Sequence, residues 1–357
     1  MRKITIGELD EKSFLKEVVS KYAVTAMMKE FDDCIVIDLN ELLRMKDLPY
    51  LVYSIDHPSF IKRPFDEEIM YKFYGRWVAA IVCGDVLAMG AKPKGFSLDL
   101  AAPLDTEVQK IEYILQGVRE ILDSYGVTYE GGNFDVNAME MVGMAWGLVD
   151  RNKIIRRRGA REGDFIAVTT TLGYGWADYV SRKLKQTQLL STQTQQNFLG
   201  FKLMPLAPYK AILEAVEAGG ITSGMDLSDG LIEFLYTIKE RNQLGSTIYE
   251  EWITVTQEME EVAAKVLNIR PGLLALEAGY DTPLGHAYTV APGKWADLCR
   301  VFEKNNSRLY KIGIVEKKPE ILLKTIKGNT ISIPPFWDDQ FSKENVVESW
   351  LEMIKIF

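Results

Sequence analysis

Aspartates recur where apolar runs of this chain break off. Asp32 and Asp33 lead into Cys34-Ile35-Val36-Ile37, and Asp56 closes Leu51-Val52-Tyr53-Ser54-Ile55. Asp85 cuts in after the apolar run 77–82, while Asp135, Asp226 and Asp229 stand beside strand ends and turns. Apolar neighbours draw such segments inward, where a carboxylate is costly unless something positive meets it. Two like charges at ~4 Å repel by roughly 4 kcal/mol at an effective dielectric of about 20. A converged set of these acids therefore calls for a cation, and oxygen donors without sulfur or imidazole favour Mg²⁺, Mn²⁺ or Ca²⁺ over zinc.

The segment Gly224-Met225-Asp226-Leu227-Ser228-Asp229-Gly230-Leu231 places two of the acids three apart at a strand-to-helix junction. Asp229 stands where a helix N-cap would, so a structural role competes with a chemical one. Gly230 allows close backbone approach by a phosphate or a metal-bound water. A helix N-terminus in the same place favours anions. In Gly84-Asp85-Val86-Leu87-Ala88-Met89-Gly90, Asp85 lies on an apolar helix face, either as a salt-bridge partner or as a ligand.

The elements that must position these residues follow from periodicity. Strands are expected at 34–39, 51–55 and 95–101, and a helix at 67–91. Val108, Ile111, Leu115, Val118 and Leu122 mark a second helix that Gly126 stops. A strand to Glu130, a Gly131-Gly132 turn and a strand at 138–149 complete the first half. Strands alternating with helices suggest an α/β layer with helices on one side. The charged segment 150–164, with Arg156, Arg157, Arg158 and Arg161, marks a boundary. Domains are expected at 1–150 and 151–335, with a helical tail at 336–357. The second domain is expected to hold a strand at 165–171, helices from about 175, at 207–218, at 229–243 and at 293–305, and strands before Asp226, at 286–291, near 308–315 and at 320–325. Residues 187–200, rich in Gln, Thr and Ser, read as a flexible connection, and 11–30 as an amphipathic helix.

Composition sets the outer limits. The 357 residues are 47% hydrophobic and carry 50 acids against 42 bases, a net charge of −8. That length supports about two domains with real cores. No basic patch with interleaved aromatics suggests nucleic acid. Cys34, Cys83 and Cys299 are far apart, and with only His57 and His286 beside them no zinc spacing can be built. No apolar run is long enough to span a bilayer, no signal pattern precedes residue 30, and a cytoplasmic location is expected. Phosphate-loop, dinucleotide, nucleophile-elbow and zinc-protease motifs are absent.

The stretches FDDCIVI (31–37), SID (54–56), GDVLAMGAKPKGFSLDLAAP (84–103), YGVTYEGGN (125–133), IIRRRGAREGDFIAVTTTLG (154–173) and MDLSDGL (225–231) occur together in one order. In that order the chain resembles the superfamily of aminoimidazole ribonucleotide synthetase, selenophosphate synthetase, the hydrogenase-maturation dehydratase and thiamine-monophosphate kinase, most of all the kinase. The resemblance implies a two-domain synthetase-like α/β (α+β) fold. Its N-terminal sheet, with helices on one side, forms the interface of a homodimer, and its C-terminal domain is an α/β sandwich. It implies ATP in a cleft between protomers and Mg²⁺ against its phosphates. Carried over by position, Asp33, Asp56, Asp85, Asp135 and Asp226 are metal ligands. Asp33, Asp56 and Asp229 are the catalytic set. Asp85, Gly131, Gly132, Asn133, Arg157 and Ser228 face the nucleotide.

The chain departs from the family pattern in places. Asn133 replaces an acid of the family pattern and Asp135 could compensate. Gly279-Tyr280-Asp281-Thr282 replaces Gly-Glu-Asp-Tyr, and 57–64 differs from the kinase's substrate stretch. His57 could contact a phosphate or be a plain turn residue; Lys62 and Arg63 could meet an anionic acceptor or be surface charge; Arg157 could be a linker charge. The expected activity is Mg²⁺-dependent phosphoryl transfer from ATP to a small acceptor, phosphorylated or carbonyl-bearing. Alternatives are amide or carboxylate activation of the synthetase type, and nucleotide binding without turnover.

Overall fold

A computed structural model describes residues 33–58, 66–203, 207–277, 279, 285–336 and 345–357. The expected helix at 11–30, Asp32, Lys62, Arg63 and most of the Gly279–Thr282 stretch lie outside these residues.

The first domain runs β1 (Ile35–Asp38), α1 (Leu39–Leu43), β2 (Tyr50–Asp56), α2 (Glu67–Ala88), β3 (Lys92–Ala102), α3 (Val108–Tyr125), β4 (Thr128–Val136) and β5 (Glu140–Val149). The strands form a sheet in the order β1-β2-β5-β3-β4. β3 and β4, joined by α3, are parallel, and the other pairs are antiparallel. Residues alternate across this sheet as its pleat requires. Val52, Phe96, Leu98, Leu100, Met141 and Ala145 face inward against the helices. Tyr53, Ser97, Val142, Met144 and Trp146 stay half-buried on the other face, with Ile55 57% exposed. α3 is amphipathic as its spacing predicts and ends at Gly126 in the left-handed region (φ 66°). α2 is buried on nearly every side, because it packs under the sheet, against α3 and against the second domain.

The helix pair meets at glycines. A Cβ on Gly75 would fall 1.8 Å from the Ile114 carbonyl oxygen, and one on Gly117 would fall 2.0 Å from that of Lys72. Gly131 and Gly132 do not turn the chain as expected. β4 continues through them, and pairing jumps from Phe96↔Tyr129 to Ser97↔Gly131, leaving Glu130 bulged. A Cβ at Gly132 would lie 1.7 Å from the Leu98 carbonyl oxygen, so the glycines serve close strand approach.

The second domain runs β6 (Phe165–Val168), α4 (Tyr174–Lys183), α5 (Thr192–Leu203), α6 (Tyr209–Ala218), β7 (Ile221–Asp226), α7 (Gly230–Asn242), β8 (Gly245–Tyr249), α8 (Gln257–Val262), β9 (His286–Val290), α9 (Trp295–Lys304), β10 (Tyr310–Glu316), β11 (Ile321–Lys324), β12 (Thr330–Ser332) and α10 (Val346–Ile354). Its seven strands lie in the order β12-β11-β8-β10-β6-β9-β7, and only β8 and β11 run parallel. The expected flexible connection at 187–200 is ordered instead. Ser191 accepts from the Thr194 amide (3.2 Å), the Glu261 carboxylate accepts from the Ser191 amide (2.9 Å), and buried Phe198 meets Tyr174 edge-on. The tail docks by Trp350, fully buried, whose Nε1 donates to the Leu276 carbonyl.

The linker is fastened at both ends. The Ile155 amide donates to Met89 O (3.0 Å), the Gly224 amide to Arg156 O (3.0 Å), and Asn242 Oδ1 accepts from the amides of Gly159 and Ala160 at 2.7 and 3.0 Å. One continuous apolar cluster joins Val78, Val82, Leu87 and Ile114 to Ile212, Tyr288, Leu298 and Phe302. Among the described residues no helix is long and apolar enough to cross a membrane.

Candidate active site at the domain junction

Four of the candidate acids converge from four elements and both domains. Asp33 enters β1 with its side chain 1% exposed, and Arg157 of the linker binds it through Nη2 (2.5 Å) and Nε (3.1 Å) to Oδ1. Asp56 is the last residue of β2 and accepts from the His57 amide at 2.6 Å. Asp85 lies in the last turn of α2, where the buried Ser54 of β2 donates its hydroxyl to Oδ2 at 2.5 Å. Asp226 ends β7, is 5% exposed, and accepts from the Ser228 amide at 3.1 Å.

The charges act on one another. Burial pushes the Asp85 carboxyl well above its usual range, and Asp226, Asp33 and Asp56 push it further. Burial likewise raises Asp56, against the His57 amide, with Asp226 adding to the rise. Burial works against the Arg157 charge, but Asp33, then Asp226 and Glu233, outweigh it and hold the guanidinium protonated. Arg157 is therefore no solvated linker residue.

Other candidates stand apart. Ser228 and Asp229 are exposed in the turn before α7. Asp229 occupies the N-cap position without a side-chain bond to the helix amides, so the capping alternative is not realised. Gly230 has φ 85°, and the space where a Cβ would project holds the Glu277 carbonyl oxygen at 2.4 Å. Its left-handed backbone allows close packing against Glu277 and Gly279 and leaves no room there for a phosphate. Gly131, Gly132, Asn133 and Asp135 lie on edge strand β4. Asp56 pairs with Gly143, Gly143 with Leu98, and Leu98 with Gly132, so three strand spacings, about 14 Å, separate the β4 residues from Asp56. Asn133 Nδ2 donates to Asp99 Oδ1 (3.1 Å) and Asp135 Oδ1 accepts from the Val136 amide (2.7 Å).

Sequence reasoning did not single out Ser54, Glu233 or His286. Ser54 alone carried a signal, as the inward position of an alternating strand.

Among the described residues, no three His, Cys, Asp or Glu side chains are disposed to hold a metal ion by themselves. The set nevertheless fits Mg²⁺. That ion is usually bound by one or two carboxylates together with substrate phosphates and water, and the raised Asp85 marks a place where negative charge is in excess.

Comparison with known proteins places the chain in a family. Residues 31–149 match the AIR synthase related protein N-terminal domain and residues 161–324 the C-terminal domain. The chain is 31% identical to the thiamine-monophosphate kinase of Methanospirillum hungatei over 188 residues, which is 52% of this chain and 59% of that protein. It is 27% identical to that of Haemophilus influenzae over 288 residues, 80% of this chain and 82% of the relative. The fold is that of a solved structure described as AaThiL complexed with AMPPCP and TMP, with TM-score 0.73 and 20% identity over 93% of this chain and 97% of the other. With both of its domains matched in order, the chain belongs to the AIR synthase related family.

Proposed function

We propose that this protein is an ATP- and Mg²⁺-dependent kinase that passes a phosphoryl group to a small-molecule acceptor of the thiamine-monophosphate kind. The observation that carries the reading is the convergence of Asp33, Asp56, Asp85 and Asp226 on one junction. Likeness to named thiamine-monophosphate kinases supports the choice of reaction. Phosphoryl transfer asks little covalent chemistry of a protein, and positioning with charge neutralisation does most of it. Mg²⁺, when bound, supplies Lewis-acid neutralisation of phosphate oxygens. In this reading one or two of Asp85, Asp226 and Asp56 would hold it, with phosphate oxygens and water completing its shell. Arg157, fixed by Asp33, brings a positive charge to the phosphates in this reading. Asp229, exposed three residues beyond Asp226, orients the acceptor in this reading.

The protein acts as a homodimer in this reading, paired through the open face of the first sheet around Ile55, Val142, Met144 and Trp146. The edge strand of a second copy, with Asn133 and Asp135, then closes each nucleotide site. Use of ATP goes with residence in the cytoplasm.

Calorimetric titration with ATP tests the proposal. Binding strengthens by at least an order of magnitude when Mg²⁺ is present, and incubation with thiamine monophosphate yields ADP and a stable diphosphate product by phosphorus NMR. Weak binding indifferent to Mg²⁺ overturns the reading. Free phosphate with a cyclised or amidated product turns it to synthetase chemistry.

A further inference from the structure

His286 opens β9 and is completely buried. Its amide donates to Thr169 Oγ1 and its carbonyl accepts from the Thr169 amide, both at 3.0 Å, so the strand end is stitched to the end of β6. On its other side His286 is the register partner of Asp226. Its ring lies parallel to that of Tyr288, 6.1 Å between centroids and 6° between planes, which leaves the imidazole little freedom to turn. Nε2 is 2.9 Å from the carbonyl oxygen of Gly84 in α2. A carbonyl only accepts, so chemistry assigns the proton to Nε2.

Gly84 is the residue before Asp85. One side chain of the second domain, rooted beside Asp226, thus grips the peptide that presents Asp85 from the first. Asp85 and Asp226 repel each other, and nothing in the two carboxylates keeps them near. Ser54 steadies Asp85 only from within its own domain.

We propose that His286 is a positioning residue that sets the separation of Asp85 and Asp226 across the domain junction, and through it the affinity of the site for a divalent ion with nucleotide. The second half rests on the kinase reading; the first half does not.

Two variants of the full-length protein test it. His286→Leu fills similar volume without a donor, and His286→Gln carries an amide that reaches the same carbonyl. Mn²⁺ uptake with a non-hydrolysable ATP analogue, followed by electron paramagnetic resonance, reads the affinity. Loss of an outer-shell partner of this kind costs about 10- to 100-fold in metal affinity. That loss is expected for His286→Leu, and near-recovery for His286→Gln. Crystal structures of both variants read the carboxyl separation, wider in the leucine variant and restored in the glutamine variant. An unchanged separation in His286→Leu, with lower melting temperature as its only effect, overturns the proposal, as does failure of glutamine to rescue. Should the parent protein take up no Mn²⁺ with the analogue, the kinase reading falls, while the separations still decide the positioning role.

Discussion

The surroundings of Asp85 oppose its charged form. Burial and the neighbouring carboxylates raise its pKa, so at neutral pH the ionised form weakens the folded state. Asp85→Asn removes that repulsion and keeps the shape. In the absence of divalent ions the variant should be more stable by on the order of 1 kcal/mol, by urea titration, as relieving a strained site commonly does. Its ATP-dependent turnover should fall by roughly 100-fold or more, the scale of losing one preorganised electrostatic group. Equal stability of parent and variant counts against mutual repulsion at the site. At this scale the sequence was legible where an acid interrupted an apolar run, as at Asp33, Asp56, Asp85 and Asp226. Partners were not legible, because Arg157 lies 124 positions from Asp33 and only the fold joins them. Asp135 stands in the sequence with the other acids beside strand ends and turns, and Asn133 comes from the resemblance alone; edge strand β4 holds both elsewhere.

Helices and strands read well where a period is strong. The stripe on α3 stands out because one face alone is buried. α5 was hidden by its Gln and Thr content, since Glu261 and Tyr174 from other segments fix it. β12 was missed because it has only three residues, and β8 was missed as well. The contact between α2 and α3 was equally invisible, as glycine within a helix usually reads as a weakness. Here Gly117 lets two backbones touch. Gly117→Ala should destabilise the protein by about 1–3 kcal/mol or more, the cost of overpacking a tight interface, seen as a lower urea midpoint. A second element-level prediction concerns the start of α1. Arg151 binds both oxygens of Asp38, and that guanidinium holds the carboxyl down at about 2 against an ordinary 3.8. The folded pKa lies below the unfolded one, so the pair stabilises fully above pH 3.8 and loses its contribution as pH falls through about 2. The urea midpoint of Asp38→Asn should therefore lie below that of the parent at pH 6, and the two should approach each other near pH 2.

Among the described residues, the face of the first sheet that carries Tyr53, Ile55, Val142, Met144 and Trp146 is only half-buried or exposed. Met144 lies at its centre, and Met144→Glu should shift sedimentation from dimer to monomer and lower turnover with it. A parent protein that sediments as a monomer at all concentrations removes the basis for a shared site. The two-layer organisation was legible from alternation of strands and helices, and the charged segment 150–164 does separate the two sheets. It does not separate the hydrophobic interior. Ile212, Tyr288, Leu298 and Phe302 complete a cluster begun by Val78, Leu87 and Ile114. A frontier drawn by strands is thus crossed by side chains. The second half keeps a core of its own, from Ile166 and Trp176 to Trp350, but the first half's cluster is finished only by Ile212, Tyr288, Leu298 and Phe302. Cutting the chain at this linker would therefore strip the first half of part of its interior, and that half accepts changes there only as its neighbour accommodates them.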